Sequence, residues 1–95
     1  MHYRIDIYIG SDNHSRRINK DYLNKVKQWA NDNFPDGYTL IKGQGCYLGI
    51  SEDSILVHAL LNYEVALRDR LKNLKQELGQ EAILLVKAQV DFEVV

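Results

Sequence analysis

The feature that most constrains the fold is a segment of turn residues and glycines at 34–49, with the sequence FPDGYTLIKGQGCYLG. It contains the only proline and four of the six glycines of the chain. Its Phe-Pro-Asp-Gly start has the composition of a turn that ends a helix and reverses the chain. The apolar run that follows predicts a strand at 38–42. Gly43 and Gly45 then interrupt the strand, so we expect a bulge or a close backbone approach there.

Alternation of apolar and polar residues predicts the other strands. Residues 3–9 alternate with a period of two, and residues 81–94 repeat this pattern over a longer run. Residues 55–61 are apolar on both faces, which indicates a strand covered on both sides. The polar run at 51–54 is interpreted as the turn that joins the second and third strands.

Apolar residues at helical spacing predict two helices. The first spans about 20–33, with Asn19 as its N-cap. The second spans about 63–78, with Asn62 as its cap and a leucine stripe along one side. Gly79 is placed where helices commonly end with a glycine.

The resulting order is β-α-β-β-α-β within 95 residues. That order and length predict a single α+β domain over 1–95 with a ferredoxin-like fold, in which two helices cover one face of a four-stranded antiparallel sheet. No repeat, linker or low-complexity segment interrupts the pattern.

The other face of such a sheet is open. We assign the even-numbered residues of the last strand to the helix side. The residues then left for the open face are Arg4, Asp6, Tyr8, Ile83, Leu85, Lys87 and Gln89. Together with Leu56 and Leu60, this is more apolar surface than soluble monomers expose. The sequence therefore predicts a homo-oligomer, a trimer or a dimer, that buries the open face.

Composition excludes several classes of partner. The net charge is −1, which provides no basic field for nucleic acid. A single cysteine, Cys46, and three histidines without ligand-like spacing predict no disulfide, no metal site and no cofactor. No apolar run is long enough for a membrane span and no leader pattern is present, so the cytoplasm is the expected location.

Two groups of polar residues are candidates for chemistry. Asp6, Tyr8 and His58 could share the open face, where a carboxylate can orient an imidazole and raise its basicity; the sequence leaves open whether Asp6 and His58 point to the same face. The loop after the first strand contains His14, Arg16 and Arg17, which could hold a phosphate or a carboxylate.

Four motifs carry a family resemblance. They are IYIG at 7–10, FPDGYT at 34–39, GQG at 43–45 and LGQEAIL at 78–84. Together they resemble a family of small uncharacterised bacterial proteins, over about residues 3 to 92. The resemblance implies a ferredoxin-like fold without an established activity. Members usually have a tryptophan just after the G-x-G, where this chain has Cys46 and Tyr47.

The stretch from Thr39 to Gly45 is also similar to the second strand of the nitrogen-regulatory PII-like and CutA-like trimers. That resemblance implies a buried sheet face and, for PII proteins, nucleotide held in clefts between subunits. Residues 46–54 are too few for the long T-loop of PII proteins. The ligand-binding residues that we expect here are Lys42, Gly43, Gln44, Gly45 and Tyr47.

Three functions remain open from the sequence. The first is a non-enzymatic PII-like binding or regulatory module with a small-molecule ligand at subunit clefts. The second is a small enzyme of the dimeric α+β barrel type that uses His58 with Asp6 and Tyr8. The third is a protein-interaction module without a ligand.

Overall fold

A computed structural model describes residues 1–12 and 14–95. Its elements, in chain order, are β1 (His2–Gly10), α1 (Lys20–Asn33), β2 (Thr39–Tyr47), β3 (Ile50–Leu61), α2 (Arg68–Leu78) and β4 (Leu84–Val90). The predicted β-α-β-β-α-β order is confirmed.

The four strands form one antiparallel sheet in the order β2-β3-β1-β4. Both helices lie on the same side of it, as the ferredoxin-like fold requires. The two central strands, β1 and β3, supply the core with alternate residues, since successive side chains of a strand point to opposite faces. Val57 and Ile7, for example, are neighbours across the β1–β3 pair and both are fully buried.

The helices cover this face with apolar stripes. Val26 and Ala30 of α1 and Leu71 and Leu74 of α2 are buried against the sheet. Phe34 follows α1 directly and is also buried. Burying such side chains at about 25 cal/mol per Å² is the main stabilising contribution to a domain of this size.

The helix ends confirm part of the sequence pattern and correct part of it. The Asn19 side chain accepts a hydrogen bond from the Tyr22 amide at 2.9 Å, so the predicted N-cap of α1 is confirmed. Gly79 ends α2 in the left-handed region, with φ of 69°. The predicted start of α2 at Asn62 is wrong: the helix begins at Arg68, and Leu67 occupies the N-cap position without a side-chain cap. Val65 and Leu67 instead pack on the core from the connecting segment.

The β2–β3 hairpin differs from the sequence prediction. The pairing runs without interruption from Thr39 opposite His58 to Tyr47 opposite Ile50, so the bulge expected at 43–45 is absent. The turn is at Leu48 and Gly49, which both have positive φ (51° and 77°), and not at 51–54. β3 therefore starts earlier than predicted, and the hairpin extends beyond the end of β1 at Gly10.

The residues of β4 that lie on the helix side are the odd-numbered ones, whereas from the sequence we assigned the even-numbered ones to that side. Leu85 and Lys87 pair with Ile7 and Ile5, so the odd-numbered residues lie on the helix side. Ile83, Leu85, Lys87 and Gln89 are thus not on the open face, where Leu84, Val86, Ala88 and Val90 lie instead. The start of this strand is apolar on both faces, so its own pattern does not decide the side, and the register with β1 does.

Candidate functional site

The centre of the open face contains an ion-paired cluster. Asp6 on β1 lies directly opposite His58 on β3. The Oδ1 of Asp6 is 2.6 Å from Nδ1 of His58, and its Oδ2 is 3.0 Å from Nε of Arg4. Asp6 is buried whereas His58 is half-buried. The sequence left open whether Asp6 and His58 share a face, and the structure places both on the open face. The carboxylate orients the imidazole, since it fixes the ring through Nδ1.

Apolar side chains surround this cluster on the same face. Tyr8 lies between Leu56 and Leu84 in the strand registers, and its side chain is 47% exposed. Leu60, Leu84 and Ile41 are exposed to a similar or greater degree. The predicted apolar open face is present, with Leu84 and Val86 in the places assigned from sequence to Ile83 and Leu85.

Towards the hairpin, the next row of the same face consists of small residues. Gly43, Ser54 and Gly10 form one row across β2, β3 and β1, and Gly45 lies in the next row opposite Glu52. A Cβ at Gly10, Gly43 or Gly45 would come no closer than 3.4, 3.9 or 3.7 Å to another atom, which is ordinary contact distance, and none of the three has positive φ. Neither crowding within the chain nor backbone conformation requires these glycines. They leave a shallow floor, interrupted only by the small side chain of Ser54, which gives room to a group from outside the chain.

Glu52 lies beside this floor. Its Oε2 accepts a hydrogen bond from Oγ of Ser11 at 3.3 Å, and its Oε1 lies 3.4 Å from the position that a Cβ on Gly10 would take. Nε2 of Gln80 donates to the Ser11 carbonyl at 2.6 Å. Ser11 itself is buried. The carboxylate is thus held at the edge of the floor by a buried hydroxyl.

Tyr22 contacts the residues around Ser11 and Glu52 from the helix side of the sheet. Its hydroxyl donates to the carbonyl oxygen of Gly10 at 2.5 Å. Burial raises the pKa of Tyr22 from 10 to about 12; a hydrogen bond with Gln80 lowers it, and the negative charges of Asp12 and Glu52 raise it. Tyr22 therefore stays neutral through the physiological range and acts as a hydrogen-bond donor.

A cavity of about 220 Å³ opens next to Glu52. It is lined by Arg16, Tyr47, Leu48, Ile50 and Glu52. The loop after β1 places Arg16 there, because the Arg16 carbonyl accepts from the Asp53 amide at 3.0 Å. The cavity therefore combines a cation, an anion, an aromatic ring and two aliphatic side chains.

The structure separates the ligand residues expected from sequence. Gly43, Gly45 and Tyr47 lie on the open face with Glu52, whereas Lys42 and Gln44 lie on the helix side. Gln44 lines a second cavity of about 450 Å³ with the loop residues Ser15, Arg16 and Arg17.

Sequence reasoning missed Glu52 because 51–54 was interpreted as a turn. The alternation of Glu52, Ser54 and Leu56 was the available signal of an open-face strand.

The loop after β1, whose Arg16 and Arg17 are candidates for holding an anion, has negatively charged neighbours. Arg16, Arg17 and Ser15 line the larger cavity together with Glu52 and Asp53. Asp53 Oδ2 is already an acceptor for the Ile18 amide at 3.0 Å. In this second cavity, where Asp53 adds to the charge of Glu52, the two carboxylates oppose a doubly charged phosphate. Among residues 1–12 and 14–95, no group of three or more His, Cys, Asp or Glu side chains could hold a metal ion, and no helix is long and apolar enough to cross a membrane.

Comparison with known proteins identifies the fold. No protein-family model matches the chain, and no curated protein matches it. A solved phage SAM lyase in complex with S-methyl-5′-thioadenosine is similar over 93% of this chain and 81% of that chain, with a TM-score of 0.62 and 12% identity. A phage SAM lyase in the apo state is similar over 90% and 78%, with a TM-score of 0.55 and 14% identity. At these identities the likeness establishes a shared fold and nothing finer.

Proposed function

We propose that this protein binds an adenosyl sulfonium compound, S-adenosylmethionine, beside the glycine floor and cleaves it to S-methyl-5′-thioadenosine. The observation that carries this proposal is the convergence of Arg16, Tyr47 and Glu52 on one cavity. The shared fold with phage SAM lyase, one form of which holds S-methyl-5′-thioadenosine, supports it.

The three side chains match the parts of such a ligand. An adenine ring stacks on Tyr47, whose side chain is 71% exposed, and base–aromatic stacking is worth about 1–3 kcal/mol. Glu52 attracts the positive sulfonium or ammonium group, and Arg16 pairs with the substrate carboxylate. Gly43 and Gly45 allow the ligand to approach the sheet backbone.

Cleavage of S-adenosylmethionine requires few catalytic groups from the protein, because sulfur is already a good leaving group. Cleavage of the bond between sulfur and the aminobutyrate chain returns the electron pair to sulfur, which becomes a neutral thioether. The carbon that it leaves bonds to a carboxylate oxygen of the same substrate and closes a lactone ring, so no proton has to be transferred. The protein has to hold one substrate conformer and exclude water, which is catalysis by positioning.

We further propose that the open face is buried between copies of this chain. The exposed Tyr8, Ile41 and Leu84, which lie in one row across the sheet, and Leu60 on the same face support this, because a soluble monomer seldom exposes so many large apolar side chains on one face. Light scattering on a sizing column tests it. A trimer or a dimer supports the buried face, and Leu60→Glu should then yield monomers. A wild-type monomer rejects it.

Calorimetry and mass spectrometry test the ligand and the reaction. We expect the wild type to bind S-adenosylmethionine and to release S-methyl-5′-thioadenosine. Glu52→Gln keeps the acceptor for Ser11 and removes the charge, so binding should weaken by about tenfold or more. Glu77→Gln, an exposed residue of α2, is the matched control and should change nothing.

Each outcome of these two experiments selects one kind of function: an enzyme, a regulatory binding module or an interaction module. Binding with release of the thioether supports a lyase, whereas binding without turnover supports the PII-like regulatory module. No binding of either compound at about 1 mM rejects the site and leaves the interaction module.

The 2.6 Å contact between Asp6 and His58 favours a second candidate, general acid–base catalysis on the open face. In that case Tyr8 lies beside the reacting group. The same assay separates the two: turnover would be lost in His58→Gln and kept in Glu52→Gln.

A further inference from the structure

The outer edge of β4 is poorly protected. Among residues 1–12 and 14–95, the strand Leu84–Val90 pairs with β1 alone and lies at the end of the sheet. Within these residues the pairing is regular, there is no proline, and five of the seven side chains are Leu, Val or Ala. Natural edge strands usually have prolines, bulges or several charges that prevent the addition of another strand. An edge with this composition is suited to accept one.

A groove on the helix side follows this edge. Two adjoining cavities, of about 270 and 650 Å³, share Arg68, Lys72 and Leu85 in their linings. Leu71 and Ile83 add apolar walls at one end, and Lys87 lies at the other. A strand that paired with β4 would direct every second side chain into this groove.

The groove is basic in a chain whose net charge is negative. Four basic side chains line it, against two acidic ones: Arg68, Lys72, Lys75 and Lys87, and Asp69 and Glu81. Lys72 and Lys87 have carboxylate neighbours at 3.9 and 3.6 Å, which are long contacts at exposed positions. Arg68 and Lys75 have no ion-pair partner among the described residues.

We propose that this edge binds an acidic extended peptide segment of a partner protein by strand addition to β4. Charge complementarity selects this occupant. Pairing of two β4 edges would bring the basic α2 helices of both copies together, and that like-charge contact opposes self-association. The groove lies on the helix side, so the proposal does not depend on the ligand site of the open face.

Fluorescence anisotropy with a labelled seven-residue peptide of alternating glutamate and valine tests this. The length matches the seven residues of β4. We expect saturable binding that weakens with added salt, and no binding of the matching lysine–valine peptide. Lys72→Glu with Lys75→Glu should weaken binding by about tenfold or more. The matched control is Lys20→Glu with Lys27→Glu on α1, which changes the net charge equally and should leave binding intact.

Methylation of the peptide nitrogens tests the strand pairing without altering the protein. Only alternate amides of an added strand face β4, so methylation of one set should abolish binding and methylation of the other should not. Equal effects of both sets, equal binding of the lysine peptide, or no binding at about 1 mM would overturn the proposal. So would peptide binding that appears only on dilution, because a second copy would then cover the edge.

Discussion

Tyr22 links the stability of the fold to alkaline pH in a way that can be measured. Its ring is 8% exposed, its hydroxyl donates to the Gly10 carbonyl, and its pKa rises to about 12. Below pH 10 both the folded and the unfolded chain hold this proton. Between about pH 10 and 12 only the folded chain does, so the unfolded state is favoured as pH rises.

The expected magnitudes follow from these values. Two pH units at about 1.4 kcal/mol each amount to a loss of about 2–3 kcal/mol of unfolding free energy by pH 12. At pH 7, Tyr22→Phe removes the donor and leaves the Gly10 carbonyl without it, which costs about 1–2 kcal/mol. The phenylalanine cannot ionise, so the two stability curves should cross near pH 11.

Urea unfolding of both proteins from pH 7 to 11.5 is the assay. Other titrating groups are common to both chains, so the difference between them isolates Tyr22. Tyr8→Phe, which removes an exposed hydroxyl, should change stability at neutral pH by no more than about 0.5 kcal/mol. A difference between wild type and Tyr22→Phe that stays constant from pH 7 to 11.5 would refute the reasoning.

Three further substitutions test the packing and the turns by urea or thermal unfolding. Leu74→Ala should cost about 2–5 kcal/mol because it opens a cavity between α2 and the sheet, and a loss below about 1 kcal/mol would contradict the observed burial. Gly79→Ala should cost about 1 kcal/mol, since its φ of 69° disfavours any Cβ. Leu48→Asn should stabilise the hairpin by a few tenths of a kcal/mol, because asparagine tolerates the positive φ of 51° better than leucine; a destabilised variant would contradict this.

The candidate site was only partly predictable from the sequence. Alternation brought Asp6, Tyr8 and His58 forward as candidates but left open whether Asp6 and His58 share a face; the strand register and their contact at 2.6 Å decide that they do. Glu52 was hidden in a polar run that has turn composition. The structure shows that this run is a strand, because it continues the β2–β3 ladder beyond the end of β1.

The sequence by itself determined the elements whose signals are local. These are the extent of α1 with its Asn19 cap, the end of α2 at Gly79 and the order of strands and helices. Each depends on interactions within a few residues, which a short pattern records.

Tertiary structure alone decided the side to which β4 directs its residues, the turn at Leu48 and Gly49, and the row of Gly10, Gly43 and Ser54. These features are set by pairing between residues far apart in the chain. A strand that is apolar on both faces can bury either one, so its register with a neighbour, and not its own pattern, settles the choice.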